Sequence, residues 1–183
     1  MTETLDCDDE AYRLSVYMAG HAITAYLLGQ QITSIIMLPR PPMMLAEKAF
    51  ASHNWDSFIE TLENRVLELF GGQTAEEMIC GHSSCCSGDI SRIDEITRIL
   101  EALYGEDDYD SEEILFDLED KTQEMFADQQ VHDAILPVAE FFFEHEEAGE
   151  MEIDGKAVTR IIEQYVPAPE KKKQGILELL KLA

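Results

Sequence analysis

His21 is the residue in this chain best suited to chemistry, and its neighbourhood reads Tyr17-Met18-Ala19-Gly20-His21. On a helix, side chains four residues apart project from one face. A zinc-binding helix of the H-E-x-x-H kind uses that spacing to aim two imidazoles at one metal, while the glutamate beside the first takes a proton from the metal-bound water. Here Tyr17 stands at the first imidazole position, Met18 at the glutamate position, and His21 alone keeps its type. A phenol with a pKa near 10 is a poor zinc ligand, and a thioether cannot accept a proton at neutral pH. Loss of a positioned base forfeits about 10²–10⁴ in rate. Further soft or acidic donors are Cys7, Cys80, Cys85, Cys86, His82 and Asp89. Neither G-x-x-x-x-G-K-[ST] nor G-x-G-x-x-G occurs, so no loop is expected to cradle a nucleotide phosphate.

The elements that must position these residues are mostly helical. Asp8 or Asp9 caps a helix running to about Gly29, with Tyr12, Val16, Ala19, Ile23 and Tyr26 at three- and four-residue steps. Ile32 to Leu38 is rich in β-branched residues and reads as a strand, followed by an irregular connection through Pro39, Pro41 and Pro42. A helix follows Asn54, and Gly71-Gly72 either ends it or lies inside it. Gly81 to Gly88 reads as a loop, with a helix opening near Asp89 and stopping at Gly105. Helical pattern returns from Ser111 to Gln130 and from Val131 to His145, a short extended piece spans Met151 to Ile153, and a last helix covers Lys156 to Tyr165. The architecture is therefore mainly α, with one or two short strands on a helical core.

Several segments, in order, resemble the peptidase domain of the FtsH family of AAA zinc metalloproteases. Tyr17-Met18-Ala19-Gly20-His21-Ala22 is similar to its H-E-A-G-H-A segment, and Ile35 to Arg40 to its strand ending in Pro-Arg. Leu69-Phe70-Gly71-Gly72-Gln73-Thr74-Ala75-Glu76-Glu77 is similar to L-x-G-G-R-x-A-E-E, Ser87-Gly88-Asp89-Ile90 to the segment supplying an aspartate ligand, and Ile153-Asp154-Gly155 to a late L-x-G-E. The resemblance implies an acidic extension over 1–10, a peptidase-like helical domain over 11–166, and a linker with a short apolar tail over 167–183. It places His21 and Asp89 on the second and third metal positions, as vestiges, and leaves no catalytic residue at the degenerate positions Tyr17 and Met18.

On that reading the chain is a pseudoenzyme, a non-catalytic interaction or assembly module without the family's AAA ATPase and membrane segments. Its partner is then another protein or a second copy, and no cofactor is expected. Two alternatives stand beside it. One is a zinc-dependent peptidase with a rebuilt ligand set, in which His21 and Asp89 are joined by His82, Cys85 or Cys86 from the 82–86 loop. The other is an acidic helical adaptor for a basic partner.

Composition narrows the partners. The 183 residues include 38 acidic and 13 basic side chains, for a net charge of −25, yet 45% are hydrophobic. Such a chain folds around a core but repels phosphate backbones and anionic membranes. No apolar run approaches the ~20 residues of a bilayer span, and the polar start lacks a signal-peptide pattern, so a cytoplasmic location with four reduced thiols is expected. Glu76 and Glu77 are expected at the surface, as are His53, His132 and His145, with Phe141-Phe142-Phe143 in the core. Lys171-Lys172-Lys173 and the tail from Ile176 to Leu182 either dock on an acidic neighbour or stay disordered.

Overall fold

A computed structural model describes residues 7–47, 54–85, 87–105 and 110–169. Cys86, His53 and the lysine-rich tail lie outside the described residues. Among them are six helices and one three-stranded sheet, the mainly α architecture expected from periodicity.

Helix α1 (Glu10–Leu27) is the central element, with fourteen of its eighteen residues buried. A helix apolar nearly all round must be covered on every side. The Asp9 carboxylate caps it, accepting hydrogen bonds from the amides of Ala11 and Tyr12. Helix α2 (Trp55–Cys80) runs antiparallel beside it, starting from the expected cap Asn54 and continuing straight through Gly71-Gly72. Helical geometry survives there because the two backbones nearly touch. A Cβ on Gly20 would sit 2.1 Å from the Gly71 carbonyl oxygen, so the glycines set the approach of the two helices.

Helix α5 (Gln129–Glu147) covers the opposite flank of α1 with Val131, Ala134, Ile135, Val138 and Phe142, while Phe141 and Phe143 pack at the margin of that core. Helices α3 (Ser87–Tyr104) and α4 (Ser111–Ala127) pack on α2 around a second cluster including Phe70, Ile93, Leu100 and Leu118. Strands β1 (Gln31–Ile36), β2 (Met43–Glu47) and β3 (Glu152–Asp154) form an antiparallel sheet in the order β2-β1-β3. Helix α6 (Gly155–Ile162) leaves β3 at once, capped by Asp154. No helix of the described residues is long and apolar enough to cross a membrane.

Two expectations need correction. The segment after Pro42 is a strand rather than an irregular connection. Met-Met-Leu-Ala has little intrinsic β preference, so pairing with β1, not local sequence, makes β2. The thiols are not all reduced either: Cys7 and Cys80 form a disulfide across 73 residues, with Cα atoms 5.6 Å apart. Antiparallel packing brings the start of α1 to the end of α2, a proximity invisible in the spacing.

Candidate functional site

The interface between α1 and α2 carries a polar seam through an otherwise apolar core. Arg13, Tyr17 and His21 recur every four residues on α1, and Glu68, Gly72 and Glu76 do the same on α2, so the two stripes face each other. Asp89, in the first turn of α3, and the 82–85 loop close the seam from the outside.

At its centre the Tyr17 hydroxyl donates to Oδ2 of Asp89, and His21 Nε2 lies 3.2 Å from that same oxygen. His21 Nδ1 is 2.8 Å from the Glu68 carbonyl oxygen, which can only accept, so Nδ1 carries a proton. The Tyr17 and His21 rings meet edge to face, 4.5 Å between centroids. Burial alone would raise the Asp89 pKa, but hydrogen bonding and charge from His21, the Tyr17 hydroxyl and the Arg65 charge together hold it below the ordinary carboxylate range. Gly72 makes room for the arrangement, since a Cβ there would fall 2.5 Å from His21 Nε2 and 2.8 Å from the Tyr17 ring. Met18 turns into the main core and is 2% exposed.

One turn toward the start of α1 lies a second cluster. Arg13 Nε and Nη2 donate to Oε1 of Glu76 at 2.9 and 2.6 Å, and Nη2 also donates to the His82 carbonyl at 2.8 Å. Arg13 Nη1 meets His82 Nε2 at 2.9 Å. Ser84 donates its amide and hydroxyl to Glu76 Oε1, and the Cys85 amide donates to Oε2. Glu76 is 0% exposed, which corrects the expectation of a surface residue; Glu77 does stay exposed. Burial alone would raise the Glu76 pKa, yet Arg13 and the Ser84 and Cys85 amides bring it below the usual range. The Cys85 thiol is pushed up to about 11, by burial first and then by the Glu76 charge.

The structure thus brings Tyr17, His21 and Asp89 together and sends His82 and Cys85 elsewhere. The 82–86 loop, expected to face His21, turns those two residues to Arg13 and Glu76. The donors at His21 fit zinc poorly: one imidazole, one carboxylate and one phenol, against the three His, Cys or carboxylate ligands of a catalytic site. Among the described residues no three His, Cys, Asp or Glu side chains converge in a metal-holding group. Sequence reasoning missed Arg13 and buried Glu76, although their four-residue spacing from Tyr17 and Gly72 was there to be read.

No family model matches the chain. Over 103 residues it is 30% identical to the ATP-dependent zinc metalloprotease FtsH of Methylococcus capsulatus, a stretch covering 51% of this chain and 15% of that protein. The chain therefore spans a small part of the length of the relative it matches. A likeness of this extent supports a distantly FtsH-related, protease-related domain.

Proposed function

We propose that this chain is a peptidase-like domain of FtsH ancestry that does not cleave peptides and serves as an interaction or assembly module. The observation that carries this reading is the closure of Tyr17, His21 and Asp89 on one another. The Tyr17 hydroxyl and His21 Nε2 converge on the single oxygen Asp89 Oδ2. Hydrolysis of an amide needs an activated water and a group to take its proton. The position next to Tyr17 holds a buried thioether, which does neither. The polar atoms that would face a metal are occupied with each other, and the neighbouring acid, Glu76, is committed to Arg13.

A net charge of −25 narrows the partner to a protein with a basic docking surface, and self-association at low salt is opposed by like-charge repulsion. Elemental analysis of protein purified without metal-affinity steps, together with casein digestion, tests the proposal. The expected result is zinc far below one per chain and no chelator-sensitive cleavage. Stoichiometric zinc with cleavage that vanishes in Tyr17→Ala or His21→Ala would overturn it.

A further inference from the structure

Helices α2, α3 and α4 meet around a cleft of about 460 Å3. Phe70, Ile90, Ile93 and Leu115 give it an apolar lining, with Asp94 and Glu119 among them. Phe70 and Ile93 belong to the second core cluster, so the cleft opens onto that core, while Ile90 stays 52% exposed. On both α3 and α4 an aliphatic residue is followed by an acid one turn later, Ile90 by Asp94 and Leu115 by Glu119.

The acids are available to an incoming cation. Asp94 meets Arg98 at 3.0 Å in a solvated surface pair of small worth. The charges that bear on Glu119 are Glu77 and Asp120, both acids, and burial followed by those two lifts its carboxyl above the usual range. Helical spacing puts Arg92 and Lys121 on the opposite faces of α3 and α4 from the lining residues. A cation entering the cleft therefore relieves repulsion, and an anion adds to it. Side chains one turn apart on α3 and α4 form ridges, and the groove between such ridges is the shape into which a third helix packs.

We infer that this cleft is the docking site for an amphipathic helix of a partner protein, its aliphatic residues seated on Phe70, Ile90 and Leu115 and its lysines or arginines against Asp94 and Glu119. The inference rests on the reading of the chain as an interaction module and supplies the chemistry of the partner's docking surface.

The probe is a fluorescein-labelled peptide of leucine and lysine about 18 residues long, enough to hold a helix, with leucines at three- and four-residue steps. A control peptide carries glutamine in place of every lysine. Fluorescence anisotropy with the full chain in about 0.1 M salt reads both affinities. The lysine peptide should bind, and the glutamine peptide should bind severalfold more weakly. Asp94→Asn/Glu119→Gln should weaken the lysine peptide severalfold and leave the glutamine peptide unchanged. Ile90→Ser should weaken both, by up to about tenfold. Leu136→Ser/Glu140→Gln, which alters an exposed aliphatic and acidic pair of the same spacing on α5, should bind as the parent does. No binding of the lysine peptide, cleft variants that bind like the parent, or an equal loss in Leu136→Ser/Glu140→Gln would each overturn the inference. None of these results bears on zinc content or casein cleavage, so the module reading stands or falls by its own test.

Discussion

Tyr17 and His21, one helical turn apart on α1, share a single acceptor, Oδ2 of Asp89 at the start of α3. Because Asp89 is the only one of the three that leaves α1, the pair ties the first turn of α3 to the central helix. The carboxylate also sits in the helical turn where negative charge is favoured by the backbone dipole.

Removing the hydroxyl should therefore loosen α3 without disturbing α1. Tyr17→Phe keeps the ring against His21 and loses one hydrogen bond to a charged group, a loss of about 1.5–3 kcal/mol. Urea unfolding should show that drop. The pH dependence has a definite sign. The folded pKa of Asp89 lies below its unfolded value of about 3.9, so its contribution is complete above that pH and fades as pH falls through the folded value. Tyr17→Phe, having a less depressed Asp89, should lose stability at a higher pH on acidification. Identical acid titrations of parent and variant would contradict the bond.

If the seam is a worn metal site, restoring one donor should restore metal binding. Tyr17→His places a second imidazole one turn before His21 and opposite Asp89, which completes a three-ligand set of ordinary zinc type. The variant should take up about one zinc per chain under dialysis conditions in which the parent takes up far less. A folded Tyr17→His protein with no more zinc than the parent would mean that Tyr17, His21 and Asp89 do not occupy ligand positions.

How much of this was legible beforehand depends on the range of the signal. Caps at Asp9 and Asn54 and the three- and four-residue steps of α1 are local, and they placed the helices well. Strand β2 and the Cys7–Cys80 bond depend on partners distant in sequence, so nothing local announced them. Glu76 was misplaced for a related reason. A glutamate reads as surface until its Arg13 partner, 63 residues away, is known to be buried with it. The Gly71-Gly72 pair was ambiguous because only the facing helix explains why a helix interior carries two residues of low propensity.

The buried Arg13–Glu76 pair should be costly to break from one side only. Arg13→Met strands a carboxylate that is 0% exposed, and the expected loss is about 3–5 kcal/mol. Arg13→Met/Glu76→Leu removes both charges and should recover much of that loss. A double-mutant cycle by chemical denaturation reads the coupling directly. Additive single and double effects would mean that the two side chains do not interact.

Glycine substitutions separate contact from propensity. Gly88→Ala, in the first turn of α3 with open space around its Cβ position, should leave stability unchanged or raise it by up to about 1 kcal/mol. Gly72→Ala gains the same propensity but drives a methyl into His21 Nε2 and the Tyr17 ring, with a net loss of about 1–3 kcal/mol. Gly20→Ala should be worse than Gly72→Ala, because its methyl meets the unyielding Gly71 carbonyl. Thermal melts of the three proteins give the order; Gly20→Ala as stable as Gly88→Ala would show that α1 and α2 do not cross there.

The disulfide acts on the unfolded chain more than on the fold. Linking Cys7 to Cys80 closes a loop of 73 residues, and the chain-entropy relation assigns such a loop about 4 kcal/mol. Arg13 already joins the same two helix ends through Glu76 and also donates to the Cys7 carbonyl at 3.4 Å, so the native contact should survive loss of the covalent bond. Reduction with dithiothreitol is therefore expected to lower the unfolding free energy by that amount while leaving the circular dichroism of the native state unchanged. Cys7→Ser/Cys80→Ser should match the reduced protein and no longer respond to dithiothreitol. Non-reducing peptide mapping that finds Cys7 and Cys80 unlinked, or a parent whose stability ignores the reductant, would remove the disulfide from the account of how α1 and α2 are held in register.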